Sequence, residues 1–176
     1  MRVLGISGSL REGSHNTRLL RAAAGLLPPG AELLVFDGLG EVPPFNEDEE
    51  RTPPPAVVAL KEAIAGADAV LVSTPEYNHS IPGVLKNALD WVSRPMAGNP
   101  MRGKPALVIG ASTGMFGAVW AQAETRKVLG ALGARVLDEE LPVAKAPDGL
   151  DDPGLMERLA ELLRELVADE ALARAA

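Results

Sequence analysis

The sequence predicts an α/β protein built on a parallel sheet with helices on both faces. Five short apolar runs alternate with five longer stretches in which apolar residues recur at helical spacing. The runs are apolar almost throughout, which is typical of parallel strands buried on both faces. Strict strand–helix alternation further predicts right-handed crossovers between the strands. The predicted strands are residues 2–7, 32–36, 69–74, 106–111 and 135–137.

The predicted helices follow the strands one by one, and the last has the clearest pattern. It places Leu155, Leu159 and Leu162 on one apolar stripe with charged residues elsewhere. Five strands and five helices predict a single domain, residues 1–176, with the flavodoxin-like doubly wound architecture and the strand order 2-1-3-4-5. The predicted helices are residues 16–27, 55–65, 82–93, 118–132 and 153–171.

Two predicted connections are long for a compact domain. Residues 37–55 are rich in proline and acidic side chains; loops of this length are usually functional or contact a partner, although a plain surface excursion also fits. Residues 93–104 are better explained as a surface excursion.

The composition excludes several classes of protein. The chain has no cysteine, which rules out disulfides, thiolate metal sites and thiol nucleophiles. With only two histidines we expect no metal site. A net charge of −7 argues against nucleic acid as a partner. No apolar run has the length of a membrane span and the first residues form a strand instead of a signal peptide, so we expect a cytoplasmic protein without a membrane partner.

Three polar loops that follow predicted strands are the candidate functional segments. The first, residues 8–17, joins a glycine turn to the start of a helix, a combination that suits a phosphate group. It contains neither the Gly-Lys-Ser/Thr ending of a P-loop nor a Gly-x-Gly-x-x-Gly fingerprint. An ordinary helix cap by Ser14 or Asn16 explains it equally well. The other loops, residues 75–80 and 112–117, taken singly, fit a structural elbow and a capped turn.

The order of the strands favours a ligand site over three unrelated turns. Strands one, three and four are neighbours in the order 2-1-3-4-5, so their loops meet at the switch point where open α/β sheets bind ligands. We therefore predict a crevice in which the first loop holds a phosphate and the other two flank a flat ring. Ser80 is predicted to cap the third helix, with Pro82 in its first turn.

The residues of these loops resemble a known family. Together they are similar to the NAD(P)H-dependent FMN reductases, a family that includes bacterial quinone, chromate and azo-dye reductases. The resemblance extends over essentially the whole chain. The blocks that carry it are Gly8-Ser9-Leu10-Arg11, Ser14-x-Asn16-Thr17, Pro75-Glu76-Tyr77-Asn78-x-Ser80-x-Pro82-Gly83 and Leu85-Lys86-Asn87-Ala88-Leu89-Asp90-Trp91.

The resemblance implies FMN as cofactor and NAD(P)H as electron donor. It implies hydride transfer through FMN, in a ping-pong cycle, to a small acceptor such as a quinone, free flavin or azo compound. It also implies a homodimer or homotetramer formed through the helix around residues 86–91. The implied cofactor-binding residues are Ser9, Arg11, Ser14, Asn16 and Thr17 at the phosphate, Pro75, Glu76, Tyr77 and Asn78 along the ring, and Ser112, Thr113 and Gly114 at its other polar edge or beside the ribityl chain.

No catalytic side chain is expected, because the cofactor supplies the chemistry and hydride transfer needs no general base. Glu76 and His79 are therefore not expected to act as catalysts. We expect His15 to be a solvated loop residue and Trp120 to lie in the core or an interface. The alternative function is a flavodoxin-type electron carrier, which the acidic charge suits. The missing Thr-x-Thr-Gly-x-Thr pattern and the scarcity of aromatic residues argue against it.

Overall fold

The computed structural model describes the backbone of residues 1–175 and the side chains of residues 1–170. Its sheet is entirely parallel and has the order β2-β1-β3-β4-β5, which confirms the predicted fold class and strand order. The strands are β1 (Arg2–Ser7), β2 (Glu32–Phe36), β3 (Ala69–Thr74), β4 (Pro105–Ala111) and β5 (Arg135–Val136).

The outer position beside β4 is shared by two very short strands. β5 pairs with the first two residues of β4, and a further strand, β6 (Pro142–Val143), pairs with Gly110 and Ala111 at its other end. The amide of Leu141, just before β6, donates to Oε1 of Gln122 at 3.1 Å. The sequence does not predict β6, because two residues next to an acidic stretch show no periodicity.

Helices cover both faces of the sheet. Their bounds are α1 (His15–Ala24), α2 (Pro55–Gly66), α3 (Gly83–Val92), α4 (Val119–Ala131), α5 (Ala146–Gly149) and α6 (Pro153–Ala175). The single turn α5 was not predicted. Short 3₁₀ turns occur at Gly38–Glu41, Glu47–Glu49 and Met96–Gly98. Among the helices described, none is long and apolar enough to cross a membrane.

The apolar core lies in two layers, one on each face of the sheet. One layer contains Leu19 and Leu20 of α1 together with Leu159, Leu162 and Leu163 of α6. The other contains apolar residues of α2, α3 and α4. Since β3 and β4 are buried along their whole length, the two strands form a rigid platform whose carboxyl ends support the loops described below.

The long connection between β2 and α2 is anchored to α3 by residues 42–46, which we call the strap. The side chain of Asn87 accepts from the Phe45 amide at 2.7 Å and donates to the Pro43 carbonyl at 2.8 Å. The buried Trp91 indole also donates to the Pro43 carbonyl at 2.8 Å, and its ring lies edge-on to Phe45. Two residues of the helix motif therefore hold the strap, and Trp91 is not available to another subunit.

Candidate functional site

The loops after β1, β3 and β4 enclose a cavity of about 310 Å³. The cavity brings together eight of the twelve predicted cofactor residues, whereas Ser14, Thr17, Asn78 and Gly114 do not line it. His15 and Ala111 line it without having been predicted. The complete lining is Ser9, Arg11, His15, Asn16, Pro75, Glu76, Tyr77, Ala111, Ser112 and Thr113.

The first loop ends at a capped helix whose amino end faces the cavity region. The hydroxyl of Ser14 accepts from the Thr17 amide at 3.2 Å, so Ser14 is the cap and Asn16 is not. Thr17 donates its own hydroxyl hydrogen to Ser7 Oγ at 2.9 Å, which ties the helix start to the end of β1. The positive end of the helix dipole and the Arg11 guanidinium make this side of the cavity favourable for an anion.

Asn16 connects α1 to the two central strands. Its Oδ1 accepts from the Ala111 amide at 2.9 Å and from the Ser73 hydroxyl at 2.9 Å, while its Nδ2 donates to the Ala111 carbonyl at 3.0 Å. The residue is buried, so these bonds have no competition from solvent. One hydrogen of Nδ2 remains for a ligand in the cavity, and the larger part of its hydrogen bonding is structural.

The loop after β3 closes on itself in a tight turn. The amides of Tyr77 and Ser80 each donate to the carbonyl of the other residue, at 3.2 and 3.1 Å. Asn78 and His79 between them have φ values of 53° and 60°, as a type I′ turn requires, and asparagine tolerates that conformation well. Asn78 thus lies at the turn and does not line the cavity.

The predicted cap of the third helix was wrong. α3 begins at Gly83, with Pro82 at the cap position and no side-chain cap bond. The Ser80 hydroxyl instead donates to Oε2 of Glu124 at 2.5 Å. The tight turn directs Ser80 toward α4, so its side chain does not reach the first amides of α3.

Two carboxylates connect the turn to α4, one from the loop that contains the turn and one from the helix. Oε2 of Glu76 accepts from the amides of Trp120 and Ala121 at 3.0 and 3.2 Å, and so caps a helix that has no cap of its own. Oε2 of Glu124 in α4 accepts from Ser80 and from the Ile81 amide, the latter at 3.4 Å. Glu124 was missed, because no local pattern relates two residues more than forty positions apart. Glu76 therefore has a structural role as the cap of α4.

The third loop is hydrogen-bonded to the segment that follows β6. The Lys145 amide donates to the Gly114 carbonyl at 2.9 Å and the Ala146 amide to the Ser112 carbonyl at 3.0 Å. The Ser112 hydroxyl accepts from the Gly114 amide at 3.0 Å. Ser112 and Thr113 face the cavity, while Gly114 shapes the turn behind them.

The loops around the cavity expose several large apolar side chains. These are Leu10, Tyr77, Met115, Phe116 and Trp120, and we call them the apolar rim. Trp120 is 41 % exposed, so it does not lie in the core. Its ring meets Phe116 at 5.1 Å and His79 at 4.7 Å between centroids.

A second cavity, of about 330 Å³, lies between the edge strand β2 and α2 and has a different character. Leu34, Val35 and Ala63 contribute to its lining, and none of the three polar loops reaches it. Residues 1–170 contain no group of three or more histidine and acidic side chains arranged to hold a metal ion.

A doubly wound sheet with a cavity at its switch point and an anion-favouring helix start is typical of nucleotide-binding proteins. Comparison with known sequences gives the family. The profile of the NADPH-dependent FMN reductases matches residues 1–148. The chain belongs to this family. It is therefore an oxidoreductase with FMN as cofactor and NAD(P)H as donor, and the alternative of a flavodoxin-type carrier is not favoured.

Individual relatives agree with this assignment. An NAD(P)H-dependent FMN reductase of Pseudomonas aeruginosa is 45% identical over 172 residues, which are 97% of this chain and 91% of that protein. A quinone reductase of Escherichia coli K12 is 38% identical over 79% of this chain and 74% of its own. The structure of the flavoenzyme NAD(P)H:(acceptor) oxidoreductase FerB from Paracoccus denitrificans superimposes with a TM-score of 0.84 at 35% identity, covering 97% of both chains.

Proposed function

We propose that FMN binds in the cavity between the three loops and that a quinone-type molecule is the acceptor class. The observation that supports this most directly is the convergence of the loops after β1, β3 and β4 on one cavity with a cationic end. The acceptor class is supported by relatives named quinone reductase and, at 42% identity over 73% of this chain and 69% of its own, a 2-hydroxy-1,4-benzoquinone reductase from Burkholderia.

The donors around the cavity fit the phosphate of FMN. Arg11 and Ser9 line the end next to α1, whose first amides and positive dipole favour a doubly charged anion. Ser14 and Thr17 act indirectly in this proposal, since they hold the loop and helix in place through their bonds to each other and to Ser7. Asn16 has the same positioning role through Ala111 and Ser73, with one amide hydrogen left for the cofactor.

The remaining loop residues fit a flat ring with polar edges. Pro75 and Tyr77 line one wall, and Ser112 and Thr113 offer hydroxyls on the other. Glu76, Asn78 and Gly114 fix the shapes of these loops through the cap on α4, the type I′ turn and the turn after Ser112. When bound, FMN supplies the hydride-accepting and hydride-donating chemistry.

A ping-pong order is part of the proposal. The exposed side chain of Tyr77 in the apolar rim lines the cavity, and in this proposal the nicotinamide and a flat acceptor occupy the same space beside it in turn. Neither Glu76 nor His79 is assigned a proton-transfer role, because the Glu76 carboxylate is engaged with α4. Parallel lines in initial-rate plots with NADPH and a benzoquinone are expected, whereas intersecting lines would contradict a shared site.

Self-association and location complete the proposal. We infer a homodimer or homotetramer, supported by the large exposed apolar side chains of the loops around the cavity. Sedimentation velocity of the purified chain tests it, and a monomer at micromolar concentration would refute it. A single FMN-binding domain spanning residues 1–176 and a cytoplasmic location, where NAD(P)H is produced, are proposed with it.

The experiment that tests the proposed site removes its two phosphate donors together. Ser9→Ala with Arg11→Ala is expected to weaken FMN binding by at least about 150-fold, since hydrogen bonds to charged groups contribute about 1.5–3 kcal/mol each and two of them about 3 kcal/mol or more. Flavin fluorescence quenching gives the dissociation constant, and far-UV circular dichroism should not change. Arg21→Ala, in the last turn of α1, is the matched control and is expected to bind FMN normally. Unchanged affinity in the double variant would place the phosphate elsewhere.

A further inference from the structure

His15 occupies a position of the first loop motif to which the resemblance assigns no role. The structure places it at the first residue of α1, directly after the cap Ser14. Its side chain lines the cavity beside Ser9 and Arg11 and is only partly exposed, so the expectation of a solvated loop residue was wrong. The imidazole therefore lies at the end of the cavity that favours an anion.

The surroundings of His15 disfavour a charged ring while the cavity holds no anion. Burial first, and then repulsion by the Arg11 and Arg18 guanidiniums, lowers the pKa of the His15 imidazole below its ordinary value. Its Nδ1 is buried and has no hydrogen-bond partner among the described residues, whereas a protonated ring needs acceptors for both nitrogens. At neutral pH the ring is accordingly neutral.

The other charged group of the cavity does not offset this repulsion. Glu76 also lines the cavity, but its Oε2 accepts from two amides of α4 and its Oε1 lies 3.6 Å from Nδ1 of His79. Both carboxylate oxygens therefore have partners other than His15. Arg11 from the loop and Arg18 from α1 remain the charges that act on His15.

A phosphate bound beside Arg11 would attract a charged His15 imidazole and so oppose the repulsion from the two arginines. We infer that His15 is a phosphate-binding residue of the flavin site and that its imidazole takes up one proton from solvent when FMN binds. The inference rests on the proposed function, because it requires the FMN phosphate to occupy the end of the cavity next to α1. The proton from solvent forms a new N–H bond on the ring, and the imidazolium donates a charge-assisted hydrogen bond to a phosphate oxygen.

The pH dependence follows from linkage. A group that is protonated more readily in the complex than in the free protein adds affinity at pH values below its free pKa. That gain is lost as the pH rises through its pKa in the complex. Each unit by which FMN raises the pKa of His15 strengthens binding about tenfold at low pH. The phosphate of FMN itself loses affinity in the same range, since it becomes singly charged below about pH 6.

Comparing the wild type with His15→Gln separates the two effects. The dissociation constants of FMN and of riboflavin, which has no phosphate, are measured by fluorescence quenching between pH 5.5 and 8.5. We expect the variant to bind FMN more weakly at pH 5.5, by up to about tenfold for a rise of one pKa unit, and nearly normally at pH 8.5. For riboflavin, the ratio of the variant's dissociation constant to that of the wild type should be the same at every pH. If this ratio is also independent of pH for FMN, the inference is overturned.

A spectroscopic measurement on the wild-type residue keeps the test independent of how the variant folds. The chain has two histidines, so His79→Gln leaves His15 as the one imidazole signal in nitrogen-15 NMR. Its titration midpoint should rise when FMN is added and stay unchanged with riboflavin. A midpoint that FMN does not move would refute proton uptake. If the wild type fails to bind FMN at any pH, the proposed function itself is wrong, which is a different result.

Discussion

Replacing Asn16 by alanine tests whether this motif residue serves the cofactor or the fold. In the structure its side chain makes three hydrogen bonds to Ala111 and Ser73, all in a buried position between α1, β3 and β4. Alanine removes the amide and leaves three polar atoms of the neighbouring strands without this partner. The damage therefore falls on the protein before any cofactor binds.

The magnitude follows from these three bonds. A hydrogen bond contributes about 1 kcal/mol on average, and a buried donor or acceptor that loses its partner costs about 1–3 kcal/mol. With one amide, one carbonyl and one hydroxyl affected, we expect Asn16→Ala to lower the free energy of unfolding by about 3–5 kcal/mol. At roughly 2–4 °C per kcal/mol for a chain of this size, the melting temperature falls by about 6–20 °C.

Urea unfolding of the FMN-free protein, followed by far-UV circular dichroism, measures this loss. Asn16→Asp keeps the acceptor for Ala111 N and Ser73 Oγ but brings an oxygen against the Ala111 carbonyl, so it should also destabilise strongly. Asn46→Ala is the matched control, because Asn46 is exposed and accepts from a single local amide. It should change the unfolding free energy by about 0.5 kcal/mol or less. A loss below about 1 kcal/mol in Asn16→Ala would refute the structural role.

Two further predictions concern the supports of the loops. Glu76→Ala removes the cap of α4 and should lower the free energy of urea unfolding by about 1–2 kcal/mol. Hydrogen exchange at the Trp120 and Ala121 amides should become faster. Glu76→Gln keeps an acceptor but loses the charge at the helix start, so it should cost about half as much. Equal stability of the alanine variant and the wild type would contradict the cap. Gly117→Ala should destabilise by more than about 2 kcal/mol, since φ is 59° there and the new Cβ would lie 2.5 Å from the Pro142 carbonyl carbon. Gly130→Ala, with open space around it in α4, is the control and should stabilise by about 0.5–1 kcal/mol.

The five strands of the main sheet order could be predicted because each of them, unlike β6, leaves a local signal. β3 and β4 are six and seven apolar or small residues in a row, and each is followed by a helix of ordinary length. Parallel strands with right-handed crossovers leave few arrangements for five such units. β6 left no such signal, since its pairing with Gly110 and Ala111 depends on where α4 returns the chain.

The location of the site could be predicted as well, because loops at the switch point must converge. The roles of single residues could not. Asn16, Asn87 and Trp91 stand in motifs that suggest contact with a ligand or subunit, yet their side chains bind backbone groups of the same chain. Local sequence shows that a polar residue is placed beside a strand end, and it does not show which partner lies within hydrogen-bond distance.

The family, the parallel sheet and the three loops that meet at one edge can be predicted from the amino-acid sequence, since they depend on periodicity and short motifs. The cap that Glu76 provides for α4, the bond from Ser80 to Glu124 and the place of His15 in the cavity near Arg11 and Arg18 become visible only in the folded chain. The difference lies in the range of the interactions. Propensity and periodicity act between neighbours in the chain, whereas caps, buried bonds and electric fields depend on distances between segments far apart in the chain.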